Sequence, residues 1–160
     1  MDSMIRWFKR RKPSAPRHEA VHVTLDEVKR AVLQYEQDMQ EQIPRTTLLR
    51  PDQSIDLARL KRYLGGISDQ RFYMSRMTYE IFEEQDKHIP LSLDVVQVAV
   101  DDYLEKHDDL PVIPGTRNRQ IHYDKLIERH YLKEKPSIVL YLTTEQFMLT
   151  HEPDWPGRLN

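Results

Sequence analysis

Thr24-Leu-Asp-Glu-Val-Lys-Arg-Ala-Val-Leu-Gln-Tyr35 stands beside Ser92-Leu-Asp-Val-Val-Gln-Val-Ala-Val-Asp-Asp-Tyr103 with six identities at a constant separation of 68 positions: Leu25/Leu93, Asp26/Asp94, Val28/Val96, Ala31/Ala99, Val32/Val100 and Tyr35/Tyr103. Further matches follow in the same order. Pro44 pairs with Pro111, Ile55–Leu60 with Ile121–Leu126, Tyr63-Leu64 with Tyr131-Leu132, and Tyr73-Met74-Ser75 with Tyr141-Leu142-Thr143. Thr78-x-Glu80-x-Phe82 then matches Thr143-x-Glu145-x-Phe147 at 65, as though the first copy carried three extra residues. Ordered matches at 65 to 68 positions read as a tandem duplication.

Each copy translates into a short run of elements. Thr24 and Ser92 can cap a helix, because their hydroxyls accept from the unpaired N–H groups of a first turn. Glu27 completes a capping box with Thr24, and Asp26 and Asp94 suit the positive end of the helix dipole. Apolar residues then recur at helical spacing (Leu25, Val28, Ala31, Val32, Tyr35 and their counterparts), which predicts amphipathic helices ending before Pro44 and Pro111. Shorter helices are expected over 56–64 and 123–132, the first closed by Gly65-Gly66. Strands are expected over 71–75 and 138–142. After them, a short helix is expected in the first copy and a hairpin in the second. The fold class is therefore α+β. A unit this small buries little surface alone, so the copies are expected to pack about a pseudo-twofold axis with their strands in one sheet.

The organisation expected is a basic tail over 1–22, repeats over 23–90 and 91–152, and a C-terminal tail over 153–160. The charge is uneven. Six basic and two acidic residues up to His22 give the tail +4, so the remainder carries −6 of the net −2. No apolar run approaches the roughly 20 residues that span a bilayer, and no apolar stretch of signal-peptide type follows the first basic residues. The absence of cysteine excludes disulfides and thiolate metal sites and fits a reducing compartment. A cytoplasmic location is expected.

His18-Glu19-Ala20-Val21-His22 matches H-E-x-x-H, which on a helix presents two histidines to zinc and a glutamate as general base. Pro13 and Pro16 lie just upstream and the helix start lies downstream at Thr24, so these histidines are expected in a solvated lead-in segment. The remaining histidines (88, 107, 122, 130, 151) have no close ligand spacing. Asp101-Asp102 and Asp108-Asp109 lack the alternating oxygens and glycine of a calcium loop and read as a solvated acidic face. Catalytic, cofactor-binding and metal-ligating residues are therefore not expected.

The strongest functional lead is Met4-Ile-Arg-Trp7-Phe8-Lys9-Arg10-Arg11-Lys12. Its rings can sit at the headgroup boundary while its cations meet anionic lipid at about 1 kcal/mol each. The same Trp7, Phe8, Lys9, Arg10, Arg11 and Lys12 could instead meet nucleic-acid bases and phosphates.

Leu110-Pro-Val-Ile-Pro-Gly115, Tyr123-x-x-Leu126, Tyr131-Leu-Lys-Glu-Lys-Pro136 and Tyr141-Leu-Thr143 resemble a family of small cytoplasmic proteins of bacilli, a domain of unknown function. The resemblance implies a bacterial protein and carries no site residue. The function expected is a non-enzymatic module that binds a protein partner and is held at the inner membrane surface by its tail. Two alternatives are a nucleic-acid-binding protein with degenerate winged-helix units, which an acidic body disfavours, and a small zinc hydrolase built on His18 to His22.

Overall fold

The computed structural model describes residues 19–39 and 43–159. The chain enters along Val21, whose N–H donates to the Ile67 carbonyl (3.0 Å), and Val23, whose N–H donates to Gln70 Oε1 (2.7 Å). Helix α1 (Leu25–Asp38) follows, with Thr24 Oγ1 accepting from the Glu27 N–H at 3.2 Å, and it buries Val28, Ala31 and Val32. A 3-10 turn over Leu57–Leu60 runs into the short helix α2 (Lys61–Leu64), which stops at Gly65 in the left-handed conformation, φ 76°. Strands β1 (Phe72–Met74) and β2 (Ile81–Glu83) pair antiparallel. Then come α3 (His88–Lys106), α4 (Tyr123–Glu128) and a second antiparallel pair, β3 (Tyr141–Leu142) with β4 (Leu149–Thr150). The fold is α+β.

The two halves repeat the same local hydrogen bonds. Ile55 N–H donates to the Phe72 carbonyl (2.8 Å) as Ile121 N–H donates to that of Leu140 (2.9 Å). Met74 to Gln53 is matched by Leu142 to Arg119, and both acceptors are left-handed non-glycine residues, φ 68° and 57°. Ser75 to Glu80 closes the first hairpin as Thr143 to Met148 closes the second, each at 2.9 Å. The residue before each closing carbonyl is exposed, aromatic and left-handed, Tyr79 (φ 62°) ahead of Glu80 and Phe147 (φ 57°) ahead of Met148.

Several expectations need correction. Helix α3 starts at His88, so Ser92 lies inside it and is no cap. Pro90 permits the extension, since a proline in a first turn sacrifices no hydrogen bond. Pro90 is also buried. No short helix follows Ser75. There Ser75 Oγ accepts from the Thr78 N–H (2.9 Å), closing a tight turn, and β2 returns along β1. The hairpins consequently correspond at 68 positions throughout, with Glu80 matching Met148, and the three-residue offset at Thr78 and Thr143 disappears. Tyr63 sits on α2 and bonds Asp38, whereas Tyr131 lies beyond α4 beside His107, so these tyrosines are not counterparts. Among the described residues, the strands form two separate two-stranded sheets, not one.

Two apolar cores result. One joins α1, the 55–60 segment and β1, with Ile81 from β2. The other joins α3, α4, β3 and β4, with Phe82 from β2. Neighbouring residues of one strand thus point into different cores, as the period of two demands. Burial of a large side chain is worth about 1.5–3 kcal/mol, so Phe82 is a substantial tie between the halves. Trp155 is buried as well, its indole N–H donating to the Asn118 carbonyl at 2.9 Å, so the segment expected as a C-terminal tail is anchored by that ring.

Candidate functional site

Both hairpin tips are fixed to adjacent turns of α3. Asp94 accepts from Ser75 Oγ (2.5 Å), from the N–H groups of Arg76 (3.0 Å) and Met77 (3.2 Å), and from the side-chain amide of Gln53. Three residues on, Gln97 accepts from the Leu149 N–H (2.8 Å) and donates to the Phe147 carbonyl and to Asp101, both at 3.0 Å. Positions i and i+3 of a helix share a face, and that geometry places the two tips side by side.

Between them lies an open cleft of about 490 Å³, lined by Thr78 and Glu80 of the first hairpin, Thr143 and Glu145 of the second, and Glu152 and Trp155 beyond β4. Among the described residues, no lysine or arginine lines it. Three carboxylates with no lysine or arginine among the lining residues make the cleft a negative concavity, and concave walls focus such a field.

His151 stands against this acidic wall. Its Nδ1 lies 3.5 Å from Glu80 Oε1, and its ring meets Phe82 edge-on, centroids 5.1 Å apart at 69°. The separation is in ion-pair range, but the approach is not that of a hydrogen bond, and the buried Nδ1 has no hydrogen-bond partner among the described residues. Glu80 nevertheless raises the imidazole's pKa above its ordinary value, against the opposing effect of burial. Ligand atoms of Glu80, His151 and Glu152 all lie within 4.8 Å of one another.

Elsewhere, the solvent face of α3 carries an apolar stripe, Leu91 (52% exposed), Val95 (60%) and Val98 (49%). At its C-terminal end, the buried Tyr103 donates to Asp109 Oδ2 (2.7 Å), Lys125 pairs with the same carboxylate, and the His107 ring stacks on Tyr103 at 4.3 Å. Lys125 and Tyr103 together pull the Asp109 carboxyl down to about 2. Burial raises the Tyr103 and Tyr123 hydroxyls, the latter strongly. This group is a knot under α3, and Asp109 is its exposed end.

Of the residues singled out from sequence, Trp7, Phe8, Lys9, Arg10, Arg11 and Lys12 lie outside the described residues, as does His18. Glu19 and His22 are exposed, and residues 19–24 are not helical. Asp101 and Asp102 are exposed, as expected of a solvated face. Sequence reasoning missed the grouping of Glu80 with His151 because 71 positions separate them and only the hairpin register brings them together. No helix among the described residues is long and apolar enough to cross a membrane.

No curated protein and no solved structure matches the chain. Residues 18–151, from the last residue before the described segment to His151, match the family described as protein of unknown function (DUF3939), and the chain belongs to that family.

Proposed function

We propose that this protein is a non-enzymatic interaction module that takes a basic segment of a protein partner into the cleft between its hairpins. The observation that carries the reading is the cleft itself: Glu80, Glu145 and Glu152 converge without a lining lysine or arginine, between tips that Asp94 and Gln97 hold in place. Exposed Tyr79 and Phe147 at those tips supply rigid aromatic surface, which favours anchoring at low entropic cost. The recurring hydrogen bonds support reading the halves as copies of one unit, with the cleft at the seam between equivalent hairpins. Met4 to Lys12, basic and aromatic, supports a second contact, peripheral attachment to anionic lipid at the inner face of the cell membrane. The negative body is then repelled from the lipid and free for its partner.

The cleft is tested with a fluorescently labelled peptide of alternating lysine and leucine, followed by anisotropy against the full chain. Salt-sensitive binding that Glu145→Lys weakens by about 10-fold or more, a loss of roughly 1.4 kcal/mol, is the result expected. Equal binding by Glu145→Lys overturns the cleft as the site. The tail is tested by co-sedimentation with anionic vesicles, comparing the full chain with one beginning at Ser14; equal pelleting removes the lipid contact.

A further inference from the structure

We infer that Glu80, His151 and Glu152 bind one divalent transition-metal ion, with Zn2+ the ion their chemistry suits best. The inference stands whether or not the cleft takes a basic segment. One imidazole and two carboxylates are borderline-to-hard donors of the kind zinc accepts. The 3.5 Å between His151 Nδ1 and Glu80 Oε1 is too long and too poorly directed for a good hydrogen bond. It is close to the edge of a tetrahedron, about 3.4 Å, whose centre lies about 2.1 Å from each ligand. Glu152 adds a third ligand, with one ligand atom from each of the three residues lying within 4.8 Å of the others, and its exposed side chain can rotate to close the site.

The ligands' surroundings are arranged to keep them there. The Phe82 ring stands edge-on to His151 and limits its rotation. The Glu80 carbonyl closes the first hairpin by accepting from the Ser75 N–H (2.9 Å). The Glu152 N–H donates to Thr150 Oγ1 (3.1 Å), fixing the chain as it leaves β4. The buried Nδ1 has no hydrogen-bond partner among the described residues, so the neutral ring, with its proton on Nε2, can offer the Nδ1 lone pair to a metal. Glu80 and Glu152 also line the cleft, which gives the fourth position of a tetrahedral site room for water or a ligand. Two hairpins from different halves of the chain would be clasped by one ion. The same ion would neutralise two of the three carboxylates that make the cleft negative.

The test is isothermal titration of the full, chelator-treated chain with ZnCl2, paired with thermal melting with and without the metal. The wild type is expected to take up one equivalent per chain and to melt higher with zinc. Glu80→Gln keeps the shape of the side chain, and loss of a direct ligand should weaken binding by at least the roughly 10-fold that even outer-shell changes cause. His151→Ala should do the same, its fold checked by circular dichroism; should it fail to fold, Glu80→Gln decides alone. His22→Ala should bind as wild type. Three results overturn the inference: no one-to-one uptake by wild type, unchanged uptake by either folded ligand variant, or loss in His22→Ala, which would move the site to His18–His22. A Glu80–His151 ion pair alone predicts the first of these.

Discussion

Replacing Asp94 with alanine should cost about 3 kcal/mol of stability. The carboxylate accepts from Ser75 Oγ, the N–H groups of Arg76 and Met77, and the Gln53 amide. Hydrogen bonds to a charged group are worth about 1.5–3 kcal/mol each net. The turn is partly exposed, so water replaces part of what the tip N–H groups lose, and the sum falls well below four full bonds. Gln53, by contrast, is buried, and its amide is left with only a long contact to the Met74 carbonyl (3.4 Å). For a chain of this length, about 3 kcal/mol corresponds to a fall of roughly 6–12 °C in melting temperature. The assay is urea unfolding followed by circular dichroism, with Asp26→Ala as internal control. Asp26 occupies the matching position of α1 and is exposed, so its loss should remove only a helix-dipole contribution below about 1 kcal/mol. Equal costs for the two substitutions, or a cost below about 1 kcal/mol for Asp94→Ala, would refute the idea that Asp94 holds the first hairpin on α3.

Gln97→Leu should cost about 2–3 kcal/mol by denaturant unfolding, because it leaves the Leu149 N–H buried without its acceptor. Gly66→Ala should destabilise by about 1–3 kcal/mol, since its Cβ would lie 2.8 Å from Val21 Cγ1 at φ 155°; an unchanged melting temperature would show that Val21 yields freely. Asp109 ionises more readily folded than unfolded, so the stability it contributes is complete above the ordinary value of 3.8 and is lost as pH falls toward about 2. Unfolding curves between pH 5 and 2 should therefore slope less steeply for Asp109→Asn than for wild type, and parallel curves would remove the Lys125–Tyr103 contact as the cause.

What the sequence reveals and what it hides divide along physical lines. Helix α1 is legible because its signals are local: the Thr24 cap, the acid-rich first turn and Val28, Ala31 and Val32 at helical spacing all agree. The α3 face is legible for the same reason, but its start is not. Ser92 is a sound cap by propensity, and it is overruled by the burial of Pro90 and by Ile89 packing against the second core. The first hairpin is hidden because β2 is three residues long and its alternation serves two cores, so Ile81-Phe82 looks like a continuous apolar pair. The candidate site is hidden more thoroughly. Glu80 and His151 carry no spacing signal, and their meeting depends on both hairpin tips being held to a single helix by Asp94 and Gln97. Those two residues look like ordinary polar positions on a helix until their partners are known.

Ile81 and Phe82 have a consequence for how the chain can be divided. A cut in the turn at Glu84–Asp86 separates the halves in sequence but not in space. The N-terminal fragment would carry Phe82 away from the core it fills, and the C-terminal fragment would keep Asp94 without the hairpin it holds. Neither piece is a complete folding unit. A protease nick there should leave a non-covalent complex that migrates as one species and melts in one transition, with the two fragments complementing each other when mixed.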